Sequence, residues 1–137
     1  MKYRFIDHTA DIAFEVYGSD LRELFENAAL AFYDAFVDTS KLKMEREVKV
    51  ECEGEDVEIA LYRWLNELLY LFDTEFFAAR NVRAEVEEGK EIKATGTFEG
   101  GKFSAEMVKV EPKAITLHKF RVEKTDKGYE AFIVVDI

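Results

Sequence analysis

The sequence predicts an α+β domain: a mostly antiparallel or mixed sheet with two amphipathic helices packed on one face. Two long segments, 21–36 and 57–72, keep apolar residues at three- and four-residue steps. Shorter segments of alternating character surround them, and those of the second half are divided by glycine- and proline-bearing turns. No repeat or linker-like tract interrupts the chain, so residues 1–137 are expected to form one domain, long enough to bury a core without staples.

The elements follow in order. Residues 2–6 and 12–17 read as a hairpin or bent strand pair, broken by Asp7-His8-Thr9-Ala10-Asp11. Asp20, with Glu23 three residues on, has the form of a capping box, which satisfies backbone donors at a helix start. Leu21, Leu24, Phe25, Ala28, Ala29, Phe32 and Phe36 then mark one wide apolar face over about four turns. Val48-Lys49-Val50-Glu51-Cys52 alternates with period two, as a strand with one buried face does. Asp56 is the expected N-cap of a second helix carried by Val57, Ala60, Leu61, Trp64, Leu65, Leu68, Leu69 and Phe72, ending near Asp73-Thr74. Trp64 reads as core, and Glu67, off the apolar stripe, as a solvated charge. Strands are expected at 82–86, 92–98, 103–110, 114–122 and 129–135, separated by Glu88-Gly89, Gly100-Gly101, Glu111-Pro112 and Asp126-Lys127-Gly128.

Bulk composition narrows the function classes. The apolar fraction of 48% and aromatic fraction of 14% belong to a folded chain. With Cys52 as the single cysteine, no intrachain disulfide forms and a reducing compartment is the default. No apolar run approaches the roughly 18 residues of a membrane span, so a soluble, cytoplasmic chain is expected. The formal net charge of −10 disfavours direct binding to RNA or DNA, which needs a surplus of Lys and Arg. Docking against a basic protein surface remains open.

Candidate chemistry gathers at the two ends of the chain. Asp7, His8 and Asp11 crowd one turn, where Asp and Thr are favoured simply because their oxygens bond nearby backbone N–H groups. The other end is an apolar strand, Phe132-Ile133-Val134-Val135-Asp136-Ile137, with one carboxylate on its penultimate residue and another at its terminus. Should that strand lie beside the first strand pair, Asp11, Asp136 and the Ile137 carboxylate converge. Three carboxylates together require a cation or basic group among them. Such oxygen donors suit Mg²⁺ or Ca²⁺, whereas Zn²⁺ would want more His or Cys than this chain offers. Lys113, directly after the only proline, either presents an ammonium to the acidic cluster or is an ordinary exposed lysine. Cys52 reads as a small buried hydrophobe, and His118 as a residue facing the site or lying on a strand surface. A phosphate-cradling glycine loop, a nucleophile elbow and a two-histidine metal helix are all missing.

Asp7-His8-Thr9-Ala10-Asp11 with Ile12, the Trp64-Leu65-Asn66-Glu67-Leu68-Leu69-Tyr70 segment, Lys113-Ala114-Ile115-Thr116 with His118, and Val135-Asp136-Ile137 together resemble the archease family, in order and over the whole chain. The resemblance implies a chaperone-like protein cofactor rather than an enzyme. Archeases assist the GTP-dependent tRNA-splicing ligase, which joins RNA ends through a nucleotidyl-histidine intermediate. They promote its guanylylation, allow multiple turnover and broaden its nucleotide use. By motif, the divalent metal (Ca²⁺ or Mg²⁺) would be held by Asp11, Asp136 and the Ile137 carboxylate or carbonyl. Lys113 would take part in activating the partner, with His8 and Asp7 beside it. RNA would be met only through the ligase, and the family fold is a compact α+β domain with an inserted module.

Two rival readings stay in view. One is a small metal-dependent phosphoester hydrolase using the same acidic cluster, with His8 as general base. The other is an interaction module in which the acidic loop is a turn and nothing more.

Overall fold

Each helix of this chain touches a strand of two different sheets. The computed structural model describes residues 1–6 and 11–137. Strands β1 (Tyr3–Ile6), β2 (Asp11–Gly18), β6 (Ala114–Thr125) and β7 (Gly128–Asp136) form one antiparallel sheet in the order β1-β2-β7-β6. Strands β3 (Arg46–Gly54), β4 (Phe77–Glu88) and β5 (Ile92–Lys102) form a second, in the order β3-β5-β4. Helix α1 (Leu21–Phe36) contacts β2 and β4, while α2 (Val57–Glu75) contacts β6 and β3. The antiparallel α+β class stands, with the strands divided between two sheets instead of one and the helices between them.

The caps form as their residue types require. Asp20 Oδ1 accepts from Glu23 N at 2.8 Å, and Asp56 Oδ1 from Ile59 N at 2.9 Å. The reciprocal half of the first box is displaced by one residue: the Glu23 carboxylate takes the N–H and hydroxyl of Ser19. Helix α2 ends on Phe76, whose φ of 54° turns the chain directly into β4. That strand therefore starts well before the expected 82.

Lying between two sheets, α1 is buried on more than one stripe: Ala28, Ala29, Ala31, Phe32 and Tyr33 are all inaccessible. Asn27, also buried, donates from Nδ2 to Tyr17 O at 2.7 Å and ties the helix to β2. Glu26 accepts the Ala84 N–H at 2.9 Å, tying it to β4. The Tyr33 hydroxyl is fully buried and has no hydrogen-bond partner among the described residues. Burial alone pushes its phenol pKa up. A buried unpaired hydroxyl costs about 1 kcal/mol or more, so Tyr33→Phe should raise stability by about 1 kcal/mol. Urea unfolding checks this; a lower midpoint in the variant would show that the hydroxyl is bonded.

The expected strand at 103–110 does not form. Strand β5 runs through Gly100-Gly101 to Lys102, because Gly100 is a place of close approach: a Cβ there would sit 2.0 Å from Ala78 O. A short 3-10 turn, Ala105–Met107, follows. The chain then straps across the end of α1, with Asp38 N donating to Met107 O and Lys109 N to Phe36 O, each at 2.8 Å. The apolar residues that suggested a strand, Phe103, Met107, Val108 and Val110, pack against the core from this strap. Among the described residues, no helix is long and apolar enough to cross a membrane.

Candidate functional site

The face of the first sheet turned away from the helices is banded by row. In an antiparallel pair, directly opposed residues share a face and every second residue returns to it. Asp11 faces Asp136, Ala13 faces Val134, and Glu15 faces Phe132. On the flanking strands Ala114 faces Asp136, Thr116 faces Val134, Ile6 faces Ala13 and Arg4 faces Glu15. One end of the face is thus an acidic row, Ala114–Asp136–Asp11. Next comes an apolar row in which Ala13 and Val134 are each 1% exposed. Beyond it Arg4 grips Glu15 through two nitrogens, at 3.0 and 3.2 Å, and the Arg121 guanidinium lies 5.2 Å from the Phe132 ring centroid.

The acidic row exists because Ile12, Phe14 and Val16 on β2, with Ile133 and Val135 on β7, are drawn into the core. Alternation then forces their neighbours Asp11 and Asp136 outward, and the register sets them opposite one another. The Asp136 carboxyl is held above its ordinary range, first by its hydrogen bond to Asp11, then by desolvation and by the Asp11 charge. Carboxylates in such contact share a proton or a cation.

The remaining expected site residues fall at different distances from this pair. Ile137 follows Asp136 directly and is 36% exposed. Lys113 is anchored to the row through its backbone, donating to Asp136 O at 2.7 Å, while its side chain is exposed. His118 is exposed on β6, further along the same strand. Asp7 and His8 lie outside the described residues. Cys52 is half-buried on β3, in the second sheet; burial, with Glu67 adding to it, pushes its thiol up to about 12, which disfavours the thiolate. Among the described residues, no three His, Cys, Asp or Glu side chains gather as a metal group.

One flank of the site was not legible in the sequence. A cleft of about 340 Å³ opens beside Asp11, lined by Phe5, Ile12, Ala13, Asp34 and Lys109 among others. Tyr3 donates its hydroxyl to Asp34 Oδ2 at 2.8 Å, and burial together with that carboxylate pushes its phenol up to about 12. Lys109 Nζ donates to Asp34 O at 2.9 Å. Helix α1 has no basic residue in its own last turn, so Lys109 brings positive charge to that end from another part of the chain.

Comparison with known proteins covers the chain almost from end to end. A family model, the Archease protein family (MTH1598/TM1083), matches residues 3–137. The chain belongs to the archease family. Protein archease of Archaeoglobus fulgidus is 85% identical over 137 residues, covering all of both chains. Protein archease of Pyrococcus furiosus is 43% identical over 136 residues, covering 96% of this chain and 95% of that one. The solution structure of Methanobacterium thermoautotrophicum protein 1598 superposes with a TM-score of 0.88 at 36% identity, covering 98% of each chain. A Thermotoga maritima crystal structure, described as an archease and possible chaperone, gives a TM-score of 0.62 at 26% identity over 96% of this chain and 94% of that one. Both the α+β architecture and the archease resemblance of the motifs are borne out.

Proposed function

We propose that this archease is a protein cofactor of a GTP-dependent tRNA-splicing RNA ligase. In this reading it promotes guanylylation of the ligase, sustains multiple turnover and broadens nucleotide use, without catalysing a reaction of its own. The observation that supports it most is the cross-strand Asp11–Asp136 pair, with Lys113 bonded to the same residue's backbone. Asp11, Asp136 and the Ile137 carboxylate would hold a calcium or magnesium ion; when bound, the ion supplies positive charge toward phosphate oxygens.

The chain's own residues then divide the work. Asp11 and Asp136 would present oxygens from directly paired strand residues, whose backbone is ordered before any ion binds. Lys113, held at its backbone with its side chain in solvent, offers an ammonium to a phosphate or to a ligase carboxylate. The net charge of −10 favours approach to a ligase with a basic surface, an attraction that should weaken with salt. The chain would work in the cytoplasm and meet RNA only through the ligase.

Single-turnover guanylylation of a purified archaeal GTP-dependent RNA ligase tests this directly. The wild-type chain should accelerate the step, a chelator should remove the acceleration, and Lys113→Ala should reduce it by about tenfold or more. Full acceleration by Asp11→Ala, Asp136→Ala and Lys113→Ala alike would end the proposal. So would phosphoester hydrolysis by the isolated chain that is lost in Asp11→Asn, which would favour a metal-dependent hydrolase.

A further inference from the structure

Asp34 stands where a carboxylate is out of place. It lies in the last turn of α1, at the negative pole of the helix, and that turn holds no basic residue. Two groups from elsewhere in the chain offset the placement. Tyr3 of β1 donates its hydroxyl to Asp34 Oδ2, and Lys109 Nζ donates to Asp34 O while lying 4.0 Å from Oδ1. Residues that break a local rule collect where a site must be held in shape. Asp34 and Lys109 both line the cleft beside Asp11.

Lys109 is also the last anchor of the strap before the acidic row. Its N–H donates to Phe36 O at 2.8 Å. Among the described residues, the next backbone hydrogen bond along the chain is that of Lys113 N to Asp136 O, at 2.7 Å. Only Val110, Glu111 and Pro112 run between the two anchors. Val110 packs against the core, Pro112 is buried, and the proline ring fixes its own φ. A tie of this length spans at most about 14 Å, so movement at one anchor is felt at the other. The place of Lys113 beside Asp136 is thus set partly from the end of α1.

We propose that Lys109, seated on Asp34, is a positioning residue for Lys113. Its ammonium fixes one end of the tie, and the tie fixes where the Lys113 side chain stands relative to Asp11 and Asp136. The inference rests on the ligase-cofactor reading, in which Lys113 acts on the partner, and adds the group that sets its place. Simple neutralisation of the end of α1 would act on the stability of the whole domain. Positioning acts first at Lys113.

Amide exchange along the isotope-labelled chain is followed by NMR, alongside stimulation of guanylylation of a purified archaeal GTP-dependent RNA ligase. Lys109→Met keeps the apolar stem and removes the ammonium. It should speed exchange of the Lys113 amide by about threefold, the scale of one half-exposed charge-assisted bond, and leave the amides of β4 and β5 as they are in wild type. It should also lower the stimulation reached at saturation by a similar factor, with the half-saturating concentration unchanged. Lys109→Arg, which keeps a cationic donor, should restore both values. Unchanged exchange at Lys113 in the methionine variant would overturn the proposal. So would equal acceleration across all amides, an arginine variant no better than methionine, or full stimulation by Lys109→Met. Wild-type chain that fails to stimulate the ligase would sink the cofactor reading, while the exchange rates alone still decide whether Lys109 places Lys113.

Discussion

On the proposed metal reading, calcium should raise the melting temperature of the wild-type chain, and Asp136→Asn should remove most of that rise while slightly raising the melting temperature measured in chelator. Both signs follow from one geometry. Asp11 and Asp136 are directly opposed, and the Asp136 carboxyl is held up by its contact with Asp11. An amide of the same shape removes one of two like charges and can donate to the Asp11 carboxylate. The metal-empty protein therefore keeps a hydrogen bond to Asp11 and sheds the like charge. The proposed metal-loaded protein would lose a charged ligand.

The size of the calcium effect comes from mass action. At a calcium concentration one hundred times Kd, binding stabilises the native state by about 2.7 kcal/mol, which for a domain of this length is roughly 10 °C in Tm. Losing a ligand that lowers affinity about a hundredfold leaves roughly 0.4 kcal/mol at the same calcium. Asp11→Asn should behave alike, whereas Lys113→Ala should leave the calcium response intact because only its backbone touches the row. Differential scanning calorimetry with EDTA, calcium and magnesium separates the outcomes. A wild-type chain whose Tm ignores both ions would remove the metal reading, even if Asp136→Asn still raised the baseline.

That pairing was only half legible in the sequence: the apolar run 132–135 must pair to be buried, but nothing in it says that β2 is the partner. Both helices were legible for a similar reason: each repeats its period over several turns and carries an aspartate at its cap. The split into two sheets was not, since nothing local in 48–52 or 129–135 says which strand is whose neighbour. The register shift in β6 between Thr116 and Arg121 did leave a trace. Apolar residues fall at Ile115 and Leu117, then at Phe120 and Val122, a slip from odd to even that an unbroken strand cannot accommodate. The missing strand at 103–110 carries the same slip between Met107 and Val108. The Asp34–Lys109 flank had no signal at all, because its two members are 75 residues apart and become neighbours only through the strap.

Trp64→Ala should cost about 3–5 kcal/mol, a large share of the stability of a domain this size. Trp64 is inaccessible, lies between Phe25 and Phe98 with centroids 5.5 and 5.2 Å away, and donates from Nε1 to Phe25 O at 3.0 Å. The ring therefore joins α2 to α1 and to the second sheet at once. Most of the cost is packing: Phe25 O lies within α1, where the helix ladder also engages it, so losing the indole donor does not orphan it. Gly96 is the counterpart. A Cβ there would come within 2.4 Å of Trp64 Cη2 and 2.6 Å of Phe98 Cε1, so the indole fits only because position 96 has no side chain. Gly96→Ala alone should cost about 1–3 kcal/mol through overpacking. Combined with Trp64→Phe, whose smaller ring vacates the nearer of those contacts, the alanine should cost less, with a coupling of about 1 kcal/mol. Chemical denaturation of the four members of this cycle measures that coupling. Strict additivity would show that the glycine serves the backbone of β5 and not the indole, and that the ring does not set how closely α2 lies against the second sheet.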